Sequence, residues 1–200
     1  GLGSGSGNAA ATWRGLNVLA GRPLGAGRLS EIAAGLGSDC ALFLRGGPVV
    51  MRGRGERVEP LPTEAAGRLS GRRVLVFKPG FSISTPWAYR RMAERAPDSY
   101  LPAAEAEARV ARWMGTGGAA AEGLLFNNME EPAFAKYIAL PVLLDLLRAE
   151  FGLEPRMSGS GSACFALLPD GISAAPAGAR IREHWGEEAF VTEARLADFS

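Results

Sequence analysis

The sequence predicts an α/β protein in which helices pack on a sheet to form two layers, divided into two domains. Three observations predict this class. A glycine- and serine-rich opening segment leads into an alanine-rich helix, strand-like runs alternate with amphipathic helices in the second half, and the composition is 47% hydrophobic and 22% charged, as in ordinary globular proteins. The length of 200 residues suits two small domains, which we place at residues 1–68 and 69–200.

The first domain is predicted to contain helices followed by a hairpin. Apolar residues recur at helical spacing over residues 8–20, which predicts an amphipathic helix. A short helix is expected over residues 30–34, with Ser30 as its N-cap. Residues 48–51 and 56–61 are predicted to pair as strands around a glycine-containing turn.

The second domain is predicted to form a ferredoxin-like unit. The expected strands are residues 73–78, 155–157, 163–168 and 189–193, and the expected helices are residues 85–95, 103–114, 137–151 and 175–185. The order of these elements is that of a split βαβ unit, which forms an antiparallel sheet with helices on one face. Thr85 is predicted to cap its helix, with Pro86 at the first helical position.

Composition argues against several classes of function. The net charge of +1 provides no basic field for nucleic acid. No apolar run approaches the length of a membrane span, and no signal peptide is recognisable, so we expect no membrane contact and a cytoplasmic location. Cys40 and Cys164 are far apart and belong to no Cys-x-x-Cys pair, which predicts buried free thiols and no metal site.

The opening segment, residues 1–10, is a candidate phosphate-binding loop. Glycines let a backbone approach a phosphate closely, and a helix N-terminus offers unpaired N–H groups. The segment fits neither the dinucleotide-binding fingerprint nor the Walker A loop, because no strand precedes it and no Lys-Ser/Thr pair follows it. A flexible linker is the alternative interpretation.

Three further segments carry candidate chemistry, each with a structural alternative. Asp39 either caps the following turn or acts as a carboxylate beside a bound phosphate. The glycine- and serine-rich run at residues 157–162 is either a hairpin turn or a loop that approaches a phosphate. Trp87 and Tyr89 either pack as core residues or stack on a base.

Five segments together resemble the GHMP family of small-molecule kinases. Residues 1–10 are similar to the family's phosphate-binding loop, residues 37–43 to its catalytic-aspartate segment, and residues 53–56 to the hairpin that follows. Residues 78–89 resemble a substrate-binding segment, and residues 158–163 resemble the family's third glycine-rich motif. Each match is modest, but five matches in the family's order are specific.

The resemblance implies roles for individual residues. Asp39 would be the catalytic carboxylate, and Thr85 and Tyr89 would bind substrate, Tyr89 by stacking on cytosine. The residues that would hold the ATP phosphates are Gly1, Gly3, Ser4, Gly5, Ser6, Gly7 and Asn8. The residues that would support the phosphate loop are Ser158, Gly159, Ser160 and Gly161.

The resemblance also implies a reaction, a cofactor and partners. The expected fold is the end of a GHMP nucleotide-binding domain, of the ribosomal S5 domain 2-like type, followed by a ferredoxin-like domain. The expected reaction transfers the γ-phosphoryl group of ATP, with Mg²⁺, to the 2-hydroxyl of a cytidine diphosphate-linked methylerythritol in isoprenoid precursor synthesis. The alternatives are a homoserine- or mevalonate-type kinase and a non-catalytic nucleotide-binding protein.

The family's N-terminal third, which carries the lysine partner of the aspartate, has no counterpart in the sequence. We therefore expect this chain alone to be inactive, and to associate with the absent segment or with itself.

Overall fold

The computed structural model describes residues 2–37, 39–53, 55 and 57–198. The chain divides into two compact units, one over Gly3–Gly67 and one over Arg68–Asp198. The first unit contains helices α1 (Ser4–Leu19), α2 (Ala26–Leu36), α3 (Cys40–Leu44) and α4 (Thr63–Gly67), with strands β1 (Val49–Arg52) and β2 (Arg57–Pro60). The second unit contains β3 (Arg73–Lys78), α5 (Thr85–Glu94), α6 (Ala103–Gly115), a 3-10 helix (Ala121–Leu124), α7 (Glu130–Lys136), α8 (Ala139–Phe151), β4 (Arg156–Met157), β5 (Cys164–Leu167), α9 (Ala175–Trp185) and β6 (Phe190–Arg195).

The first unit is built around small side chains. Helices α1, α2 and α3 pack against one another, and Ala10, Ala33 and Ala41 are buried where they meet. Strands β1 and β2 pair antiparallel, so the predicted hairpin is confirmed for the described residues. Part of its turn, Arg54 and Glu56, lies outside them.

Two predicted helix starts in this unit are wrong. Helix α1 begins at Ser4 rather than at residue 8, so most of the glycine- and serine-rich run is helical and little of it is loop. Helix α2 begins at Ala26 with Gly25 as its N-cap, which places Ser30 inside the helix. Glycine and serine are poor helix formers, so their presence predicted that each helix would begin later in the sequence. Packing in the folded unit outweighs this local preference.

The second unit contains an antiparallel sheet with the strand order β4-β5-β3-β6. Strand β3 is central and has the bounds that the sequence predicts, and its Leu75 pairs with Ala166 of β5 and with Glu193 of β6. The split βαβ order and the antiparallel pairing are confirmed. Helix α8 begins at Ala139 rather than at Tyr137, and α7 is a separate helix that the sequence did not predict.

One face of this sheet carries the main hydrophobic core. Leu75 and Phe77 of β3 lie on that face because alternate residues of a strand point the same way. The buried helix residues in this core cluster are Ala88, Met92, Ala133, Leu140, Leu143, Leu144, Leu147, Ala177 and Ile181. Helices α5, α7, α8 and α9 therefore share one core with the sheet, and the loops that join them are held on a rigid frame.

Candidate active site

The start of α1 is an uncapped helix N-terminus. Gly3 is the N-cap residue, with a left-handed φ of 65°, and no side chain caps the helix. The first intrahelical bond is donated by the Gly7 amide to the Gly3 carbonyl at 2.8 Å. The amides of Ser4, Gly5 and Ser6 therefore lack helical partners and point toward any anion placed at this end.

Glycine is required at position 3 by two features of the structure. Its φ lies in the region that side chains rarely adopt, and a Cβ there would lie 2.9 Å from Cζ of Phe43. Phe43 belongs to α3 and also contacts the position of Gly7. Helix α3 thus holds the first turn of α1 in place. Gly1 lies outside the described residues, and Asn8 is exposed in the second turn of the helix.

Asp39 is exposed and occupies the N-cap position of α3 without using its side chain as a cap. The alternative in which Asp39 caps this turn is therefore wrong, and Ser38 lies outside the described residues. The carboxylate is directed to neither of the N–H groups that a capping residue would bind. An exposed carboxylate next to a helix that supports a glycine-rich N-terminus is suited to act on a hydroxyl, and the catalytic role stays a prediction.

The segment between β3 and α5 places its polar and aromatic side chains differently from the prediction. Ser84 is the N-cap of α5, and its hydroxyl accepts a hydrogen bond from the Trp87 amide at 3.4 Å. Thr85 is therefore not the cap. Its hydroxyl is hydrogen bonded to that of Ser160 at 2.8 Å, which brings together two residues predicted for the site.

Tyr89 lies on α5 with 57% of its surface exposed. A large aromatic side chain this accessible has a face available for a ligand, and the cytosine-stacking role stays a prediction. Trp87 behaves differently, since it is half-buried and packs against the core cluster. The core interpretation is confirmed for Trp87, while Tyr89 is not a core residue.

An aromatic and cationic cluster surrounds Trp87. Tyr137 stacks on Phe81, with 5.3 Å between the ring centroids, and meets the Trp87 ring edge-on at 5.6 Å. The ammonium of Lys136 lies 4.6 Å from the Trp87 ring centroid and 5.1 Å from that of Tyr137. Such contacts favour a fixed arrangement of the rings and place a positive charge beside Trp87. Lys136 belongs to no sequence motif that would have indicated this position.

The glycine loop, residues 158–162, joins β4 to β5. Its first residue donates to the Ala163 carbonyl at 2.8 Å and accepts from the Gly161 amide at 3.0 Å. Gly159 and Gly161 have positive φ values of 55° and 79°. A Cβ on Gly161 would lie 2.6 Å from the Met157 sulfur, so only glycine fits there.

The glycine loop is also hydrogen bonded to the segment that joins β3 to α5. The Ser162 hydroxyl, which is buried, donates to the Phe81 carbonyl at 2.5 Å. The Lys78 ammonium donates to the Phe81 and Pro79 carbonyls, both at 3.1 Å. The loop and the segment that precedes α5 therefore form one hydrogen-bonded structure, which sequence reasoning treated as two separate motifs.

Two residues that hold the glycine loop were missed by the sequence analysis. Asn127 donates to the carbonyls of Met157 and Gly159 at 2.7 and 2.9 Å. Glu130 accepts a hydrogen bond from the Met157 amide at 2.8 Å. The available signal was a pair of asparagines followed by acidic residues within a stretch that is otherwise apolar.

Comparison with known proteins assigns the family. Residues 104–187 match the family described as GHMP kinases C terminal. The 4-diphosphocytidyl-2-C-methyl-D-erythritol kinase of Synechococcus sp. (strain CC9902) is 38% identical over 177 residues, which cover 85% of this chain and 57% of that protein. This chain belongs to the GHMP kinase family. It spans little more than half the length of that curated relative.

Solved structures of GHMP kinases have the same fold. A crystal structure of 4-(cytidine 5'-diphospho)-2C-methyl-D-erythritol kinase superposes with a TM-score of 0.70 at 31% identity, covering 98% of this chain and 66% of the other. A mevalonate kinase structure superposes with a TM-score of 0.66 at 11% identity, covering 100% of this chain and 66% of the other, and shows the fold alone. The predicted family and the α/β fold class are confirmed. The identity of residues 1–68 as part of a nucleotide-binding domain stays a prediction.

The described residues contain neither a metal-binding cluster nor a membrane-spanning helix. No three acidic, histidine or cysteine side chains cluster in that part of the GHMP kinase chain so as to hold a metal ion. No helix there is both long enough and apolar enough to cross a bilayer.

Proposed function

We propose that this chain is part of an ATP-dependent kinase that phosphorylates the 2-hydroxyl of 4-diphosphocytidyl-2-C-methyl-D-erythritol, in isoprenoid precursor synthesis. The observation that carries the proposal is the identity of 38% with a protein of that name over 85% of the chain. The homoserine- and mevalonate-type alternatives have weaker support, because the mevalonate kinase structure shares only 11% identity.

The ATP phosphates are proposed to bind at the start of α1. The free amides of the first turn and the hydroxyls of Ser4 and Ser6 offer donors to phosphate oxygens, and the helix dipole favours negative charge there. The left-handed Gly3 turns the chain sharply into the helix, so no side chain blocks the approach. The site needs no lysine of the Walker A kind.

Asp39 is proposed to orient the acceptor hydroxyl and to accept its proton. The hydroxyl oxygen attacks the γ-phosphorus, the bond to the β–γ bridging oxygen breaks, and ADP leaves while the proton passes to the carboxylate. Most of the acceleration in such reactions comes from positioning and charge stabilisation. In a version of the chain extended at its N-terminus, we therefore expect Asp39→Asn to lower kcat by about 10²- to 10⁴-fold, with Glu64→Gln as an exposed acidic control in the same unit.

Mg²⁺ is proposed to enter with ATP. Mg²⁺ usually keeps several waters and is held by one or two carboxylates together with substrate phosphates. The lack of a preformed acidic cluster within the described residues fits this mode of binding, and Asp39 is an exposed carboxylate in the same unit as the proposed phosphate site.

The cytidine part of the substrate is proposed to stack on Tyr89. Aromatic stacking on a base contributes about 1–3 kcal/mol, so Tyr89→Ala should weaken the binding of cytidine diphosphate about 5- to 150-fold. Tyr89→Phe should bind normally because it keeps the ring. Tyr100→Ala, which removes another exposed tyrosine, is the matched control.

The decisive test is a phosphoryl-transfer assay on this chain and on a version extended at its N-terminus. We expect turnover of the cytidylated substrate by the extended version and none by this chain. Turnover of homoserine or mevalonate instead would overturn the substrate assignment. A non-catalytic nucleotide-binding protein would bind an ATP analogue in both versions, in wild type and Asp39→Ala alike, and turn over no acceptor.

An association is proposed from the first unit. Leu16 and Leu19 of α1 are 53% and 86% exposed, and their spacing of three residues places them side by side on one face of the helix. We expect a further segment or a second copy of the chain to cover them, and a stable monomer in sedimentation velocity would contradict this. The cytoplasmic location stays a prediction.

A further inference from the structure

The outer edge of β4 is closed by side chains instead of by another strand. Strand β4 lies at the end of the sheet order, and an edge strand leaves N–H and C=O groups without ladder partners. At Met157 both groups are satisfied by the segment before and within α7. The amide donates to Glu130 at 2.8 Å, and the carbonyl accepts from Asn127 at 2.7 Å.

Asn127 also forms a hydrogen bond with the glycine loop. Its second amide hydrogen is donated to the Gly159 carbonyl at 2.9 Å. Its side-chain oxygen accepts from the Met129 amide at 2.9 Å, which fixes the orientation of the amide group. One half-buried side chain therefore makes three hydrogen bonds to the main chain, and two of them hold the loop at its start.

The opposite side of the loop bears the residues that the proposed function uses. Ser160 shares a hydrogen bond of 2.8 Å with Thr85, and Ser162 is bonded to the carbonyl of Phe81. A displacement of the loop at Gly159 would therefore move Ser160 relative to Thr85. The loop has left-handed backbone at two glycines, so it has little preference of its own for this conformation.

We propose that Asn127 is a positioning residue that sets the place of the glycine loop relative to Thr85 for substrate binding, with Glu130 as a second anchor. The inference rests on the proposed function in so far as Thr85 is taken to bind substrate. Asn127 itself does not touch the reacting atoms and acts through the loop.

The test uses Asn127→Asp, which keeps the size of the side chain and the acceptor for Met129. The substitution replaces the amide group that donates both hydrogen bonds with a carboxylate oxygen, which repels the two carbonyl oxygens it faces. Asn128→Asp is the matched control, because it adds the same charge one residue along. Asn127→Ala is the second variant, since it removes the donors without adding charge.

The first readout is hydrogen exchange of peptides that cover residues 158–163, measured on this chain. We expect exchange at least tenfold faster in both Asn127 variants and unchanged in Asn128→Asp, while exchange in β3 and α8 stays as in wild type. Unchanged loop exchange in both Asn127 variants would overturn the proposal.

The second readout is the affinity for cytidine diphosphate, with kcat and KM measured separately where the extended version is active. We expect affinity to fall at least fivefold in the Asn127 variants and to stay unchanged in Asn128→Asp. Faster loop exchange with unchanged affinity would overturn the positioning role. If wild type binds no nucleotide in any version, the proposed function fails, while the exchange measurement still decides whether Asn127 anchors the loop.

Discussion

Gly161→Ala should destabilise the protein more than the same substitution at Gly152, another glycine with a positive φ. Gly161 has a φ of 79° and is buried, and an added Cβ would lie 2.6 Å from the Met157 sulfur and 2.9 Å from Cδ1 of Ile83. Gly152 ends α8 with a φ of 61°, and a Cβ there would meet nothing within 4 Å. Comparing the two alanine variants therefore separates the free-energy cost of backbone strain from that of steric overlap.

The magnitude follows from these two contributions. A left-handed conformation costs an alanine about 1–2 kcal/mol, which applies equally to both positions. Forcing an extra methyl group into a packed site costs about 1–3 kcal/mol more, and this applies to Gly161 alone. Met157 and Ile83 are both buried, so neither side chain can move into solvent to relieve the contact. We expect a loss of about 2–5 kcal/mol for Gly161→Ala and about 1–2 kcal/mol for Gly152→Ala.

Urea unfolding followed by circular dichroism measures both losses. The midpoint should fall with little change in the m-value, because neither variant alters the surface exposed on unfolding. Equal losses of unfolding free energy in the two variants would refute the packing argument, since only the methyl group at position 161 meets packed side chains.

Three further outcomes follow from single side chains. Ser84→Ala should cost about 1 kcal/mol of unfolding free energy and speed hydrogen exchange at the start of α5, because the cap is lost. Thr85→Ala should not speed exchange there, and larger fraying in Thr85→Ala than in Ser84→Ala would reverse the assignment. Burial, helped by the charge of Glu130, raises the pKa of the Cys164 thiol to about 12, against about 8.5 when unfolded. The folded state thus keeps a proton that the unfolded chain releases, so stability should fall above about pH 8.5 by about 1.4 kcal/mol per pH unit, and a Cys164→Ala variant with the same pH slope would contradict this. Ser162→Ala removes a buried hydroxyl that donates to a main-chain carbonyl and should cost about 1 kcal/mol in thermal or urea unfolding; no measurable loss would show that this bond contributes nothing.

The sheet was largely predictable because its signals are local. Strand β3 is a run rich in branched and aromatic residues that is followed by Pro79 and Gly80, and residues of these types are enriched in strands. The order of strands and helices then selects the split βαβ arrangement. The start of α1 was not predictable in the same way, since glycine favours helices poorly and the contact with Phe43 that orders Gly3 comes from a residue 40 positions away.

The candidate site was predictable only in part, because local motifs could be recognised and long-range contacts could not. Glycine- and serine-rich segments indicate where a backbone must approach a phosphate, so sequence patterns find the loops themselves. They do not show what holds a loop, because the anchor needs only one amide at the right place. Asn127 lies 30 residues before Met157 in the chain, and no spacing rule connects the two.

Motifs that are separate in the sequence are connected by hydrogen bonds in the structure. A substitution in one motif should therefore change the effect of a substitution in another. The glycine loop is bonded on one side to Asn127 and on the other to the segment around Phe81 and Thr85. Since these bonds share one short loop, changes at its two sides should not be additive. A double-mutant cycle between Asn127→Ala and Ser162→Ala should therefore show coupling, because each substitution frees the loop that the other one still holds.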